Sequence, residues 1–261
     1  MSPTPHARQG VPNSYREHPP PLALEPWLAC TWQRRDGARE PVRVVPDGCV
    51  DIVWTEGRGA RVVGANTTAF LVALGPDTSV VGARIRPGAA PALLDVDAAA
   101  LRDGHVELAD VWADDGRRLE QRLDAAGDHN RGALLLAAIG ERARHAAMPD
   151  PLVRAAVGRL AAPDARVEHL ARELAISTRQ LRRRCESAVG YGPKRLLRVL
   201  RLQRALAAAR AGEELAQVAA GAGYADQAHF AHDCRALAGV PATALVWSRS
   251  AMRASVTRNH A

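Results

Sequence analysis

Apolar and polar positions along the chain change their period once, near residue 88. Between positions 22 and 86 the pattern is one of short runs alternating every second residue. Val42-Arg43-Val44-Val45 is followed by the turn Pro46-Asp47-Gly48 and then by Cys49-Val50-Asp51-Ile52-Val53-Trp54. The second run is alternating and β-branched, as a half-buried strand requires. Positions 61–64 and 79–86 repeat the pattern, and Pro87-Gly88 stops the last of them. The apolar spacing then turns helical over 89–94, 97–101, 108–112, 116–125 and 133–147. The first half is therefore expected to be α+β, a small β-barrel or sheet with helices.

Met148-Pro149-Asp150-Pro151 punctuates the chain, and all that follows reads as helix with strong end signals. Asp150 caps a helix that opens on Pro151, where the missing N–H costs nothing. Pro163-Asp164 breaks it before a helix over 167–174. Ser177 caps the next, 178–189, and Gln180 three residues on completes a capping box. Gly190 is a natural left-handed stop. A long helix from Gly192-Pro193 to position 210 ends at Gly212. Helices over 214–221 and 226–238, separated by Gly223 and closed by Gly239, complete the series. The expected organisation is a disordered lead-in (1–21), an α+β domain (22–148), an all-α domain (149–247) and a flexible tail (248–261).

Inside the all-α domain, a pair of segments aligns at an offset of 49 residues: Ala171 with Ala220, Leu181 with Phe230, Cys185 with Cys234, Gly190 with Gly239. Each is a short helix, a tight turn and a longer helix, the arrangement that presents a second helix to the DNA major groove. The i, i+4 pairs Leu181/Cys185 and Phe230/Cys234 face the core. Thr178, Arg179, Arg182 and Arg183 in the first unit, and Gln227, Ala228, His229 and His232 in the second, then point outward. Arginine can pair with guanine O6 and N7, and glutamine with adenine N6 and N7. Ser177, Lys194, Arg195 and Arg198 are candidate phosphate contacts, whereas Arg201 reads as internal. Charge agrees: from Leu152 onward 18 Lys and Arg stand against 8 Asp and Glu, a net +10, while the preceding residues carry −3.

At these residues the chain resembles the AraC/XylS family of transcription regulators. The first unit shows Leu170-Ala171, Ser177, Leu181-x-Arg183, Gly190-x-x-Pro193 and Arg201-Leu202-x-x-Ala205. The second shows Gly223-Tyr224-x-Asp226-Gln227-x-His229-Phe230 and Gly239-Val240-Pro241. The resemblance implies an all-α domain of about seven helices with two helix-turn-helix units. Its expected partners are double-stranded DNA and RNA polymerase, with activation or repression of transcription as the outcome. It further implies a sensory or dimerising N-terminal domain, with a small-molecule effector or a homodimer as the expectation. Three departures stand out: cysteine in place of phenylalanine at Cys185 and Cys234, histidine in place of arginine at His232, and Pro241 one residue early. Asp233 is expected to repel phosphate, so the first unit should carry more of the binding. Pro46-Asp47-Gly48-Cys49-x-Asp51 and Gly82-x-Arg84-x-Arg86-Pro87-Gly88 resemble the N-terminal domain of an uncharacterised AraC-like subgroup.

Other chemistry is weaker. Asp47, Cys49, Asp51, Arg84 and Arg86 are a candidate effector pocket; the alternative is a turn aspartate and a strand-end carboxylate paired with a nearby arginine. His229-x-x-His232 lacks an evident third ligand, so no metal, cofactor or catalytic residue is expected. Four scattered cysteines without a C-x-x-C pair suit a reducing compartment. A polar, Pro-rich start and no apolar run near the ~20 residues of a membrane span point to the cytoplasm, close to the nucleoid. Two competing functions remain: a repair-type protein with a reactive thiol at Cys30 or Cys49, and an architectural DNA binder of little sequence preference. Trp27, Trp32, Trp54, Trp112 and Trp247 read as core anchors.

Overall fold

A computed structural model describes residues 14–35 and 41–247. The first half is built on a six-stranded antiparallel sheet with strand order β1-β2-β7-β4-β5-β8. Its members are β1 (Ser14–His18), β2 (Leu28–Arg35), β4 (Val50–Thr55), β5 (Gly59–Val63), β7 (Ser79–Ile85) and β8 (His105–Glu107). A separate two-stranded ribbon pairs β3 (Val42–Val44) with β6 (Phe70–Val72). The expected alternation decides which side chain faces which layer. Val50, Ile52 and Trp54 of β4 are buried toward the helices, while Asp51, Val53 and Thr55 face the ribbon.

Helices α1 (Ala90–Leu94), α2 (Ala98–Leu101), α3 (Leu108–Trp112), α4 (Asp114–Ala125) and α5 (Asp128–Ala143) cover one face of the sheet and one end of it. Trp54 is fixed there by a hydrogen bond from Nε1 to Asp124 (2.8 Å) and by the Arg131 guanidinium 4.2 Å from its ring centre. Trp27, Trp32 and Trp112 are also buried, whereas the side chain of Trp247 lies outside the described residues.

Among the described residues seven helices follow: α6 (Pro151–Leu160), α7 (Val167–Glu173), α8 (Thr178–Val189), α9 (Pro193–Arg210), α10 (Leu215–Gly221), α11 (Gln227–Asp233) and α12 (Ala242–Trp247). A π-helical turn, Cys234–Ala238, prolongs α11. The two halves share one continuous apolar core rather than meeting at a thin linker. The Pro46-Asp47-Gly48 turn lies against α9, where the buried Gln203 donates from Nε2 to Pro46 O at 2.6 Å. A Cβ at Gly48 would sit 3.3 Å from Leu196 Cδ1, and one at Gly88 2.8 Å from Val153 Cγ1. The glycines of both N-terminal motifs thus let that half settle onto the helical half.

Three expectations need correction. Ser14–His18 is not a disordered lead-in but strand β1, paired with β2 in register Ser14 to Arg35. Strands β2, β6 and β8 and helix α12 were not anticipated as elements. Helix α5 begins at Asp128, five positions before the apolar pattern announces it. Residues 1–13 and the tail from 248 onward lie outside the described residues.

Candidate nucleic-acid interface

Helix α8 starts as its sequence dictates. Ser177 Oγ accepts from Gln180 N (3.1 Å), and Gln180 Oε1 accepts from Ser177 N (2.9 Å), so two of the free N–H groups at the helix start are satisfied. Leu181 and Cys185 are fully buried on the inner face. Thr178, Arg179, Arg182 and Arg183 are exposed on the outer one, with Arg182 paired to Glu186 at 2.7 Å. In the second unit Asp226 caps α11 by accepting from His229 N (2.7 Å). Phe230 and Cys234 are buried; Gln227, Ala228 and His232 are exposed. His229 is half-buried, edge-on to Tyr224 with ring centres 5.1 Å apart.

The internal repeat is less uniform than one offset suggests. Ile176 N donates to Ala171 O (3.0 Å), and the matching bond in the second unit is Tyr224 N to Ala219 O (2.9 Å), an offset of 48. Ala171 and Ala219 are both buried at 2%, whereas Ala220 is exposed. The partner of Ala171 is therefore Ala219, not Ala220. Past the turn the offset becomes 49, because Ala225 is inserted before the cap. Each turn pivots on a left-handed residue, Ala175 (φ 52°) and Gly223 (φ 83°). A Cβ at Gly223 would lie 2.1 Å from Pro163 O, so only glycine fits.

The candidate phosphate residues separate. Lys194 is exposed, with Glu168 at 3.6 Å. Ser177 is engaged in the cap. Arg195 Nη1 donates to Thr67 O of the N-terminal half (2.9 Å), and Arg198 donates from Nε (3.0 Å) and Nη2 (2.7 Å) to Asp233 Oδ1. Asp233 is 1% exposed, which corrects its expected role: it is a buried anchor for α11 against α9 and faces no phosphate. Arg201 stacks on Tyr224, and Arg204 donates to Ala161 O and to Ala222 O, tying the linking helix to the end of α6 and to the turn of the second unit.

Of the candidate effector residues, Asp47, Asp51 and Arg84 converge and Arg86 does not. Arg84 is buried, its Nε 3.4 Å from both Asp47 Oδ2 and Asp51 Oδ1 and its Nη1 3.4 Å from Glu17 Oε1. Trp32 Nε1 donates to Asp51 Oδ1 (3.0 Å), and Tyr15 OH to Glu17 (2.6 Å). Cys49 adjoins the group through its N–H to Asp47 (2.9 Å), whereas Arg86 donates to Glu25 O. Glu17 and Tyr15 escaped the sequence reading because β1 did, and Trp32, expected only as a core anchor, joins the group from β2. The one trace was Gly82, whose Cβ would lie 2.3 Å from the Trp32 ring. Beside this ion cluster, between the large sheet and the β3–β6 ribbon, opens a cleft of about 330 Å³ lined by Trp32, Val53, Val63, Phe70 and Asp51 among others. Burial pushes the thiol of Cys30 up to about 12 and that of Cys49 well above its ordinary value, the latter with help from Asp47. Both stay protonated near neutral pH, which counts against a nucleophilic role.

Among the described residues no helix is long and apolar enough to cross a membrane. Residues 16–107 match a domain of unknown function (DUF6597), and residues 170–246 match a helix-turn-helix domain. No curated protein matches the chain significantly. Among solved structures, the C-terminal domain of AraT, a response regulator from Geobacillus stearothermophilus, superimposes with a TM-score of 0.36. It is 22% identical over 42% of this chain and 96% of that one. ToxT from Vibrio cholerae reaches 0.46 at 10% identity, over 89% and 98% of the two chains. Its form with bound unsaturated fatty acid reaches 0.41 at 13%, over 90% and 95%. These superpositions are loose. With the capped recognition helices, the Gly223-Tyr224-x-Asp226-Gln227 signature and the match over residues 170–246, the chain carries an AraC-type helix-turn-helix domain that binds DNA in transcription regulation.

Proposed function

We propose that the protein is a sequence-specific regulator whose helices α8 and α11 enter successive major grooves on one face of the duplex. One observation carries this reading: two helices in tandem units, each anchored by an i, i+4 buried pair, leave Thr178, Arg179, Arg182 and Arg183, and Gln227, Ala228 and His232, open to solvent. Arg179, Arg182 and Arg183 supply base-edge donors in the first groove, Gln227 with His229 and His232 in the second, and Lys194 a phosphate contact. The N-terminal half takes a small, largely apolar molecule in the 330 Å³ cleft, whose size falls within the range of ligand pockets. Selection from random duplexes tests the reading. Two motifs about one helical turn apart, ~10 base pairs, are expected. A single short motif, or no preference, would refute it. Transcription with RNA polymerase on a promoter carrying the selected site would then give the sign of regulation.

A further inference from the structure

The last carbonyls of an α-helix have no partner within the helix. In α8 and in the α11 extension, which end at the left-handed glycines Gly190 and Gly239, those carbonyls are met from the N-terminal half. Arg102 Nη1 reaches Gly190 O at 3.4 Å. Ala69 N donates to Leu237 O at 2.7 Å, and Arg43 Nη1 to Ala238 O at 2.9 Å. The donors belong to one connected patch. Asp103, beside Arg102, accepts from Thr67 N (2.6 Å) and from Thr67 Oγ1 (2.8 and 3.0 Å), and its own N–H donates to Ala65 O (3.4 Å). Thr67 O in turn accepts from Arg195 on α9. The segment from Gly64 to Phe70 therefore touches the linking helix and the end of the second recognition helix, and is bonded to the loop that caps the first.

We propose that this segment is a positioning splint: a second bridge between the two helix-turn-helix units, parallel to α9, that sets how far apart and at what angle the two recognition helices stand. It rests on the two-groove reading. The splint also runs directly into β6, and Arg43 lies on β3 between Val42 and Val44. Phe70, Val72, Val42 and Val44 line the cleft. The ribbon thus covers the cleft with one side and holds the end of α11 with the other, so filling the cleft alters the placement of the helices.

The test measures affinity for the selected two-motif duplex and for versions with the spacer lengthened or shortened by one or two base pairs. The wild type is expected to lose about ten-fold or more on the wrong spacer, a coupling of ordinary size. Arg43→Gln and Thr67→Val should flatten that discrimination while affinity for either single motif stays within about two-fold, since neither residue lies on a recognition face. Val53→Phe, which fills the cleft from its floor, should shift the preferred spacer in the wild type and have no such effect in a Thr67→Val background. Val53→Leu repeats the test with less bulk, and thermal melting confirms that each variant is folded. Undiminished spacer discrimination in folded Arg43→Gln and Thr67→Val, or an equal loss on every duplex, overturns the splint. An unchanged Val53→Phe shift in the Thr67→Val background, or no shift in the wild type, overturns its link to the cleft. Selection of only one motif by the wild type would instead overturn the two-groove reading itself.

Discussion

Replacing Arg198 should cost the protein more stability than replacing its partner Asp233, although the two changes delete the same ion pair. The side chain of Asp233 is 1% exposed and that of Arg198 37%. Both guanidinium bonds end on Oδ1, and Oδ2 has no hydrogen-bond partner among the described residues, so Arg198 provides the main compensation for the buried charge. Arg198→Ala strands that carboxylate out of water, a loss of about 3–5 kcal/mol. Asp233→Ala leaves an arginine that can turn to solvent, so the loss is that of a partly screened charged hydrogen bond, about 1–2 kcal/mol. The double variant should cost less than the sum of the two by about 2 kcal/mol, because no stranded charge is left. Urea unfolding of the full chain, followed by far-ultraviolet circular dichroism, gives all three values. Equal losses for the single variants, or strict additivity, would refute the argument. So would tighter DNA binding by Asp233→Ala, the outcome expected if Asp233 faced phosphate.

In mobility shifts, Arg179→Ala and Arg183→Ala should each weaken binding about ten-fold or more, and more than Gln227→Ala or His229→Ala; the reverse order would reject the unequal division between the units. Burial pushes the thiols of Cys30, Cys185 and Cys234 up to about 12. At pH 8 only about one part in ten thousand of each is thiolate, so alkylation should be slow in the native protein and fast in urea. A cysteine equally reactive in both would revive the repair-type reading. Gly223→Ala must push Cβ into Pro163 O and should abolish the folded second unit. Gly212→Ala, at φ 92° in open space, should cost only about 1–2 kcal/mol by thermal melting; similar effects at the two sites would contradict the steric argument.

The C-terminal half was legible because its signals are local. Caps, left-handed glycines and i, i+4 apolar pairs each report on a neighbour within a turn or two, so helix ends from Pro151 to Gly239 fell within a residue or so of expectation. Strand β1 was not legible. Tyr15-Arg16-Glu17-His18 is an edge strand whose polar side chains carry no apolar alternation, and its pairing with β2 is set by hydrogen bonds that leave no mark in the sequence. Strand β6 failed for the opposite reason: Ala69-Phe70-Leu71-Val72-Ala73 is apolar throughout and gives no period to read. The convergence of Asp47, Asp51 and Arg84 was half visible, since Asp51 and Arg84 face each other across the β4–β7 ladder. The addition of Glu17 needed the missing strand.

The proposed inequality of the two units rests on a different footing from the one first expected. Electrostatic repulsion by Asp233 no longer supports it, because that carboxylate is buried and holds α11 to α9. What separates the units is their outward chemistry, three arginines against Gln227, Ala228 and His232, and the way each helix is held. Helix α8 begins on a full capping box, whereas α11 begins on a single aspartate acceptor and continues as a π-helical turn. At its far end the α11 extension is met by Arg43 of the ribbon that roofs the cleft and by the Ala69 N–H just before that ribbon, the latter at 2.7 Å; the end of α8 receives Arg102 at 3.4 Å. Along its length α8 also packs on α1 and α2, and Ser187 Oγ donates to Asp97 (3.2 Å), so what sets the second unit apart is a hold that runs through the residues beside the cleft. The proposed division gives α8 most of the affinity and α11 a contact whose availability the cleft sets. In that arrangement an effector would change the spacer a duplex must have far more than it changes binding to the first motif alone.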